Sequence, residues 1–188
     1  KQIEAKQRLK RGLMQQLLTG KLRFLEFGKQ KLANESPENW HTEEFIDIFK
    51  LIKRKNIKDL SCVLTVSGEY GLIDQEEYFN KSVAGKDLTG YYLLKRNEFA
   101  YNRSSMKGYP YGAIKRLDKY DEGVLSSLYI CFGLKDGKGI NLDFITYYFE
   151  SGRLNQQLRM ITHVGGRAHG LLNITDRDFK KVHLFFPS

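Results

Sequence analysis

Leucines recur every four positions between residues 2 and 19. Leu9, Leu13 and Leu17 form one row and Met14, Leu18 and Leu22 the next, with lysines and arginines opposite. That spacing predicts an amphipathic helix with a broad apolar stripe. Gly20 fits a left-handed cap after the last turn, with Lys21 and Arg23 placed to meet the carbonyl end. Gly12 weakens the interior by about 1 kcal/mol relative to Ala. The stripe needs cover, from its own domain or from a partner helix. The pattern stops over residues 25–39, where Gly28, Lys29, Gln30, Lys31, Asn34, Ser36 and Pro37 are polar and unperiodic. This reads as a linker, with a domain starting near Trp40.

Downstream the pattern is that of an α+β domain with a mixed sheet. Apolar runs predict strands at Cys62–Val66, Tyr91–Leu94, Phe99–Tyr101 and Val182–Phe186, the last stopped by Pro187, with a turn at Ser67-Gly68. Ser127–Leu134 is the strongest strand, apolar enough to be buried on both faces. Gln75–Val83 suits a short helix with Tyr78 and Phe79 turned inward. Leu142–Glu150 and Leu154–Ile161 suit two helices broken at Ser151-Gly152. No internal repeat or low-complexity segment is present.

Composition narrows the class. The chain has 188 residues, 41% of them hydrophobic, with only 3 Pro and 2 Cys. One domain with an appendage is expected, large enough to fold without disulfides or a metal. No apolar run approaches the ~18 residues of a membrane span, so a soluble cytoplasmic protein is expected. The chain begins at Lys1, not Met, and is expected to be cut from a longer polypeptide.

Net charge is +9 and unevenly spread. Residues 1–24 carry seven lysines and arginines against Glu4 alone, whereas Asp59–Leu94 is acidic. Lys95–Arg116 holds six bases and only Glu98, and Arg153–His169 holds three arginines and no acid. Basic density interleaved with aromatics suggests a polyanionic partner, because phosphate contacts give affinity through counterion release.

Catalytic and metal motifs are missing. His41, His163, His169 and His183 are scattered, and Cys62 and Cys131 sit inside apolar strands without a CxxC partner. No Gly-x-Ser-x-Gly elbow occurs. Gly165–Gly170 has neither the Walker lysine nor dinucleotide-binding spacing. Glu4-Ala5-Lys6 lacks the preceding Asp of a nuclease motif, and the Asn/Asp-Pro-Pro-aromatic tetrapeptide of amino-methyltransferases is missing. Nothing here marks an enzyme.

The informative stretch is Ala100–Arg116, AYNRSSMKGYPYGAIKR. It combines side chains that read base edges (Asn102, Arg103) with others that hold phosphates or bases (Ser104, Ser105, Lys107, Lys115, Arg116, Tyr101, Tyr109 and Tyr111). Gly108 and Gly112 allow close approach to a backbone. Arg167 and His169, flanked by glycines, would add a second strip, with Arg159 a weaker addition. Lys10 and Arg11 are expected to face solvent or a partner subunit.

Taken together, the chain resembles the specificity subunit of type I DNA restriction–modification systems. Lys10–Lys21 (KRGLMQQLLTGK) looks like the close of that family's central helical spacer. Trp40, Gly71-Leu72-Ile73, Glu77-Tyr78-Phe79, Gly90–Leu94, Asn97–Asn102, Tyr109–Ile114 and Gly123–Tyr129 follow in the order of its target recognition domain. Phe186-Pro187 looks like the exit toward the next conserved helix.

The resemblance divides the chain into a spacer helix (1–24), a linker (25–39) and a target recognition domain (40–188). It implies a non-catalytic subunit that reads one half of a bipartite double-stranded DNA site. Leu9, Leu13, Met14, Leu17 and Leu18 would then pack on another spacer helix, as half of a coiled coil, or on a second copy through residues 1–22. Methyltransferase (modification) subunits would carry S-adenosylmethionine, so this chain would bind no cofactor; a restriction subunit is a further partner. The alternative is a basic protein-interaction module without a nucleic acid role.

Overall fold

Side-chain size alternates with period two along the central strands, and this alternation sets the architecture. The computed structural model describes residues 2–18, 21–22, 24, 40–81, 84–85, 87–162 and 170–187. The central sheet has four antiparallel strands in the order β2 (Phe49–Leu51), β9 (Ile130–Leu134), β6 (Phe99–Asn102) and β7 (Ala113–Arg116). Phe99, Tyr101, Ile114, Ile130 and Phe132 point to one face, and the smaller Ala100, Ala113 and Cys131 to the other.

The large-residue face packs under α2 (Phe45–Ile48), α4 (Leu142–Glu150), α5 (Asn155–Ile161) and α6 (Asp176–Phe179). Phe99 stacks on Phe132 with centroids 5.4 Å apart, and Tyr101 stacks on Phe179 at 4.9 Å. Each such buried aromatic contributes about 1.5–3 kcal/mol by leaving water. The small-residue face accepts two hairpins, β3 (Leu64–Ser67) with β4 (Gly71–Asp74) and β5 (Tyr92–Lys95) with β8 (Glu122–Leu125). Approach is close enough that a Cβ on Gly123 would fall 2.5 Å from Leu64 Cδ1. Both faces are therefore covered, which is why antiparallel strands here read as continuous apolar runs. Each ladder among the described residues is antiparallel, and Val63 with Val124 forms an isolated parallel bridge.

β1 (Trp40–Glu44) pairs with β10 (His183–Pro187), from Trp40 opposite Pro187 to Glu44 opposite His183. Pro187 thus lies inside the strand it was expected to stop, at the edge position where a missing N–H is tolerated. Asn141 caps α4 by accepting the amides of Asp143 and Phe144, and Ser151 with Gly152 at φ +75° ends it, as the sequence predicts. The expected strand at Ser127–Leu134 begins only at Ile130, because the Tyr129 amide turns back to the Ser126 carbonyl.

Two further expectations change. α3 (Gln75–Phe79) stops where Asn80 turns left-handed, and Tyr78 and Phe79 are each 42% exposed, not turned inward. They meet Tyr70, also exposed, as an open aromatic edge. The stripe of α1 (Gln2–Leu17) divides: Leu9 and Leu13 are open at 63% and 42%, Met14 and Leu17 are half-buried, and Leu18 is buried. The expected cap at Gly20 and the linker at 25–39 lie outside the described residues. No described helix is long and apolar enough to cross a membrane.

Candidate nucleic-acid interface

The segment between β6 and β7 is built from the sheet outward. Asn102 Oδ1 accepts the Ser104 amide at 3.0 Å, turning the chain as it leaves β6. Arg103 then faces inward: Nε and Nη2 donate to the Leu128 carbonyl at 3.0 and 2.6 Å, and Nη1 donates to the Ile174 carbonyl at 2.9 Å. One guanidinium fork thereby ties the loop to two other segments. Residues 170–174 run alongside, with the Leu172 amide donating to Arg103 O and the Ser105 amide to Gly170 O.

Met106 and Tyr109 exchange backbone hydrogen bonds at 3.1 and 2.9 Å, which makes Lys107-Gly108 the two-residue tip of a hairpin. Gly108 supplies φ +84° there. Gly112, at φ +81°, returns the chain so close to β6 that a Cβ would overlap the Asn102 carbonyl oxygen. The Tyr101 hydroxyl donates to Tyr111 O at 2.7 Å, closing the loop base.

Beneath the tip lies a buried polar cluster. Lys115, 6% exposed, donates to Gly68 O at 3.0 Å, to the Tyr109 hydroxyl at 2.8 Å and to Glu150 Oε1. Tyr109 in turn donates to Glu150 Oε2 at 2.6 Å. All three ammonium protons are used, which is the condition under which a buried charge is tolerated. Burial, together with the Glu150 carboxylate, pushes the Tyr109 phenol well up, and Arg11 pulls it the other way. Burial likewise pushes the Tyr101 phenol up.

The expected contact residues divide accordingly. Tyr101 and Lys115 lie in the interior, bonded within the chain, and so do not offer those groups to a ligand. Arg103 and Tyr109 are half-buried and act as anchors, and Arg116 donates to Asp143 Oδ1 at 2.7 Å. Tyr111 packs against the aromatic core. Ser104 bridges to Leu171, half-buried. Ser105, Lys107 and Arg159 are exposed. Arg167 and His169 lie outside the described residues.

Sequence reasoning missed a contribution from α1. Arg11 Nη2 lies 3.9 Å from where a Cβ on Gly108 would stand, and Lys10 Nζ sits over the Tyr147 ring at 5.9 Å. Both side chains are exposed, as expected, and they also reach the edge of the domain. Arg11 and Gln15 line a cleft of about 270 Å³ together with Gly108, Tyr109, Glu150 and Asn155. No periodicity argument could have chosen between the two polar faces of the helix. Among the described residues, no three His, Cys, Asp or Glu gather as a metal site. Burial, with the Asp74 carboxylate, pushes the Cys62 thiol up to about 11, and burial pushes the Cys131 thiol up to about 12, which favours the protonated form of both.

No protein-family model matches the sequence, and no curated protein matches it. Solved structures similar to this chain include the following three. The first is the S subunit of a type I restriction-modification system from M. genitalium, at 17% identity over 83% of this chain and 36% of that one, with a TM-score of 0.46. The second is the HsdS subunit from Thermoanaerobacter tengcongensis, at 10% identity over 99% and 43%, also with a TM-score of 0.46. The third is a chain from a structural study of complex assembly and conformational transition in the type I R-M system, at 11% identity over 99% and 44%, with a TM-score of 0.42. The chain spans less than half the length of each.

Proposed function

We propose that this chain is a target recognition domain with part of its spacer helix, the non-catalytic half of a type I specificity subunit that reads one side of a bipartite duplex DNA site. The observation that carries the reading is the rigid presentation of a cationic hairpin tip. Arg103, Tyr101, Tyr109 and Lys115 hold the loop from below, so Lys107, Gly108 and Ser105 are offered in a fixed geometry. Preorganised loops lose little entropy on binding. The motif order from Lys10 to Tyr129 supports the family assignment.

In this reading Lys107 and Arg159 contact the duplex. Asn102 and Arg103 shape the loop and do not read bases directly. Arg167 and His169 remain proposed contacts from the neighbouring segment. α1 offers Leu9 and Leu13 to another spacer helix or to a second copy, and modification subunits, with a restriction subunit, complete a cytoplasmic complex. S-adenosylmethionine belongs to the modification subunit.

One observation favours a protein contact as well: the aromatic edge of Tyr70, Tyr78 and Phe79 is flanked by Glu69, Glu76 and Glu77, an unsuitable surface for phosphates. Fluorescence anisotropy with mixed-sequence duplexes separates the two readings. DNA binding predicts affinity that falls steeply with salt, with a log–log slope of about −0.9 per phosphate contacted. Binding that is absent at every salt concentration leaves the protein-interaction module.

A further inference from the structure

The tip of the recognition hairpin does not stand alone, because the helix that precedes the domain reaches it. We infer that Arg11 on α1 and the Lys107-Gly108 tip form one phosphodiester-binding site, so that the spacer helix grips the DNA backbone together with the recognition loop. The inference rests on the DNA-recognition reading above and adds a helix residue to it.

Four observations converge on this site. Arg11 Nη2 overhangs the tip, 3.9 Å from the place a Gly108 Cβ would take, so the two elements present their polar groups to one spot. Among the described residues neither Arg11 nor Lys107 makes a hydrogen bond or ion pair, and both side chains are exposed to a ligand. The amides of Lys107 and Gly108 donate to no described residue, and the positive φ of Gly108 turns this backbone into the kind of concavity that holds an anion. Finally, the carboxylate lining the same cleft, Glu150, is already matched by Lys115 and Tyr109, so it does not cancel the field of the two exposed cations.

A phosphodiester fits this set better than a carboxylate. It has two unesterified oxygens for the planar guanidinium fork and sits on a polymer whose neighbouring charges extend toward Lys107. A lysine at position 11 would keep the charge and lose the fork.

The test is anisotropy on the full chain with mixed-sequence duplex DNA, titrated from about 50 to about 200 mM salt. Arg11→Ala and Lys107→Ala are each expected to weaken every duplex alike and to flatten the log–log slope by about 0.9, so that the deficit against the parent narrows about threefold over that range. Arg11→Lys should restore the slope. Lys119→Ala, at the opposite end of β7 from the hairpin, should leave it unchanged. A parental slope in Arg11→Ala beside a flattened one in Lys107→Ala overturns the inference and leaves the DNA reading standing. Equal flattening by Lys119→Ala overturns it too, since the contact would then be diffuse. A parent chain whose binding shows no salt dependence removes the DNA reading itself, and the inference with it.

Discussion

The Tyr109 hydroxyl donates to Glu150 Oε2 at 2.6 Å, joining the Lys107-Gly108 hairpin to the last turn of α4 across 41 residues of sequence. Lys115 bonds both groups from below. The loop is thus fastened to a helix instead of floating between two strands. Removing one partner of a buried ion pair leaves the other charge stranded, at a cost of about 3–5 kcal/mol. Glu150→Ala is expected to lose about 3 kcal/mol in urea denaturation, whereas Tyr109→Phe should lose about 1. The double change Lys115→Met, Glu150→Leu should recover most of the Glu150→Ala loss. Glu150→Ala at parental stability would show that the cluster does not hold the loop.

Arg103 is a second fastening. Its three bonds to the Leu128 and Ile174 carbonyls need a planar fork, so Arg103→Lys should be nearly as damaging as Arg103→Ala, at about 2 kcal/mol. Its effect on DNA should be uniform across sequences. Relaxed preference at a single base pair in Arg103→Ala, with unchanged stability, would make it a reader after all.

Gly112 and Gly108 share a positive φ and differ in surroundings. Alanine at 112 meets the Asn102 carbonyl and should lose more than about 3 kcal/mol, while alanine at 108 meets only the end of the Arg11 side chain at an ordinary 3.9 Å and should lose about 1–2 kcal/mol, the cost of a left-handed L-residue. Matched denaturation curves for the two variants check this ranking.

Alkaline pH offers a further test. Burial raises the Cys131 thiol from 9.0 to about 12 in the folded chain. The unfolded chain therefore loses this proton first, and the stabilisation linked to it is complete below about pH 9 and drains as pH rises toward 12. The denaturation midpoint should fall over this range, and the fall should be shallower in Cys131→Ala. Native Cys131 should also resist alkylation at pH 8, when the denatured chain reacts fully.

Much of this fold was legible because its signals are local. The apolar spacing of Leu142–Glu150 and the Ser151-Gly152 break sit in sequence where they act, so the span of α4 could be read to the residue. β7 could not, because Ala113–Arg116 looks like the tail of a basic loop and becomes a strand only through its ladder with β6. Lys115 misled for the same reason: its type suggests a surface contact, while its partners at Gly68 and Glu150 are 47 and 35 residues away. Tyr78 and Phe79 looked like core because aromatics usually bury, and nothing local tells that α3 leaves them open. Arg11 was beyond reach, since the side of α1 that meets the domain is decided by tertiary contact alone.

Whether this chain reads a DNA sequence is decided by selection from a random duplex library, run at two salt concentrations with a type I modification subunit present. Enrichment of one short half-site of a few base pairs is expected, retained as salt rises while bulk binding falls. Strong, salt-sensitive binding with no enriched sequence would contradict it and leave only a basic surface that holds polyanions.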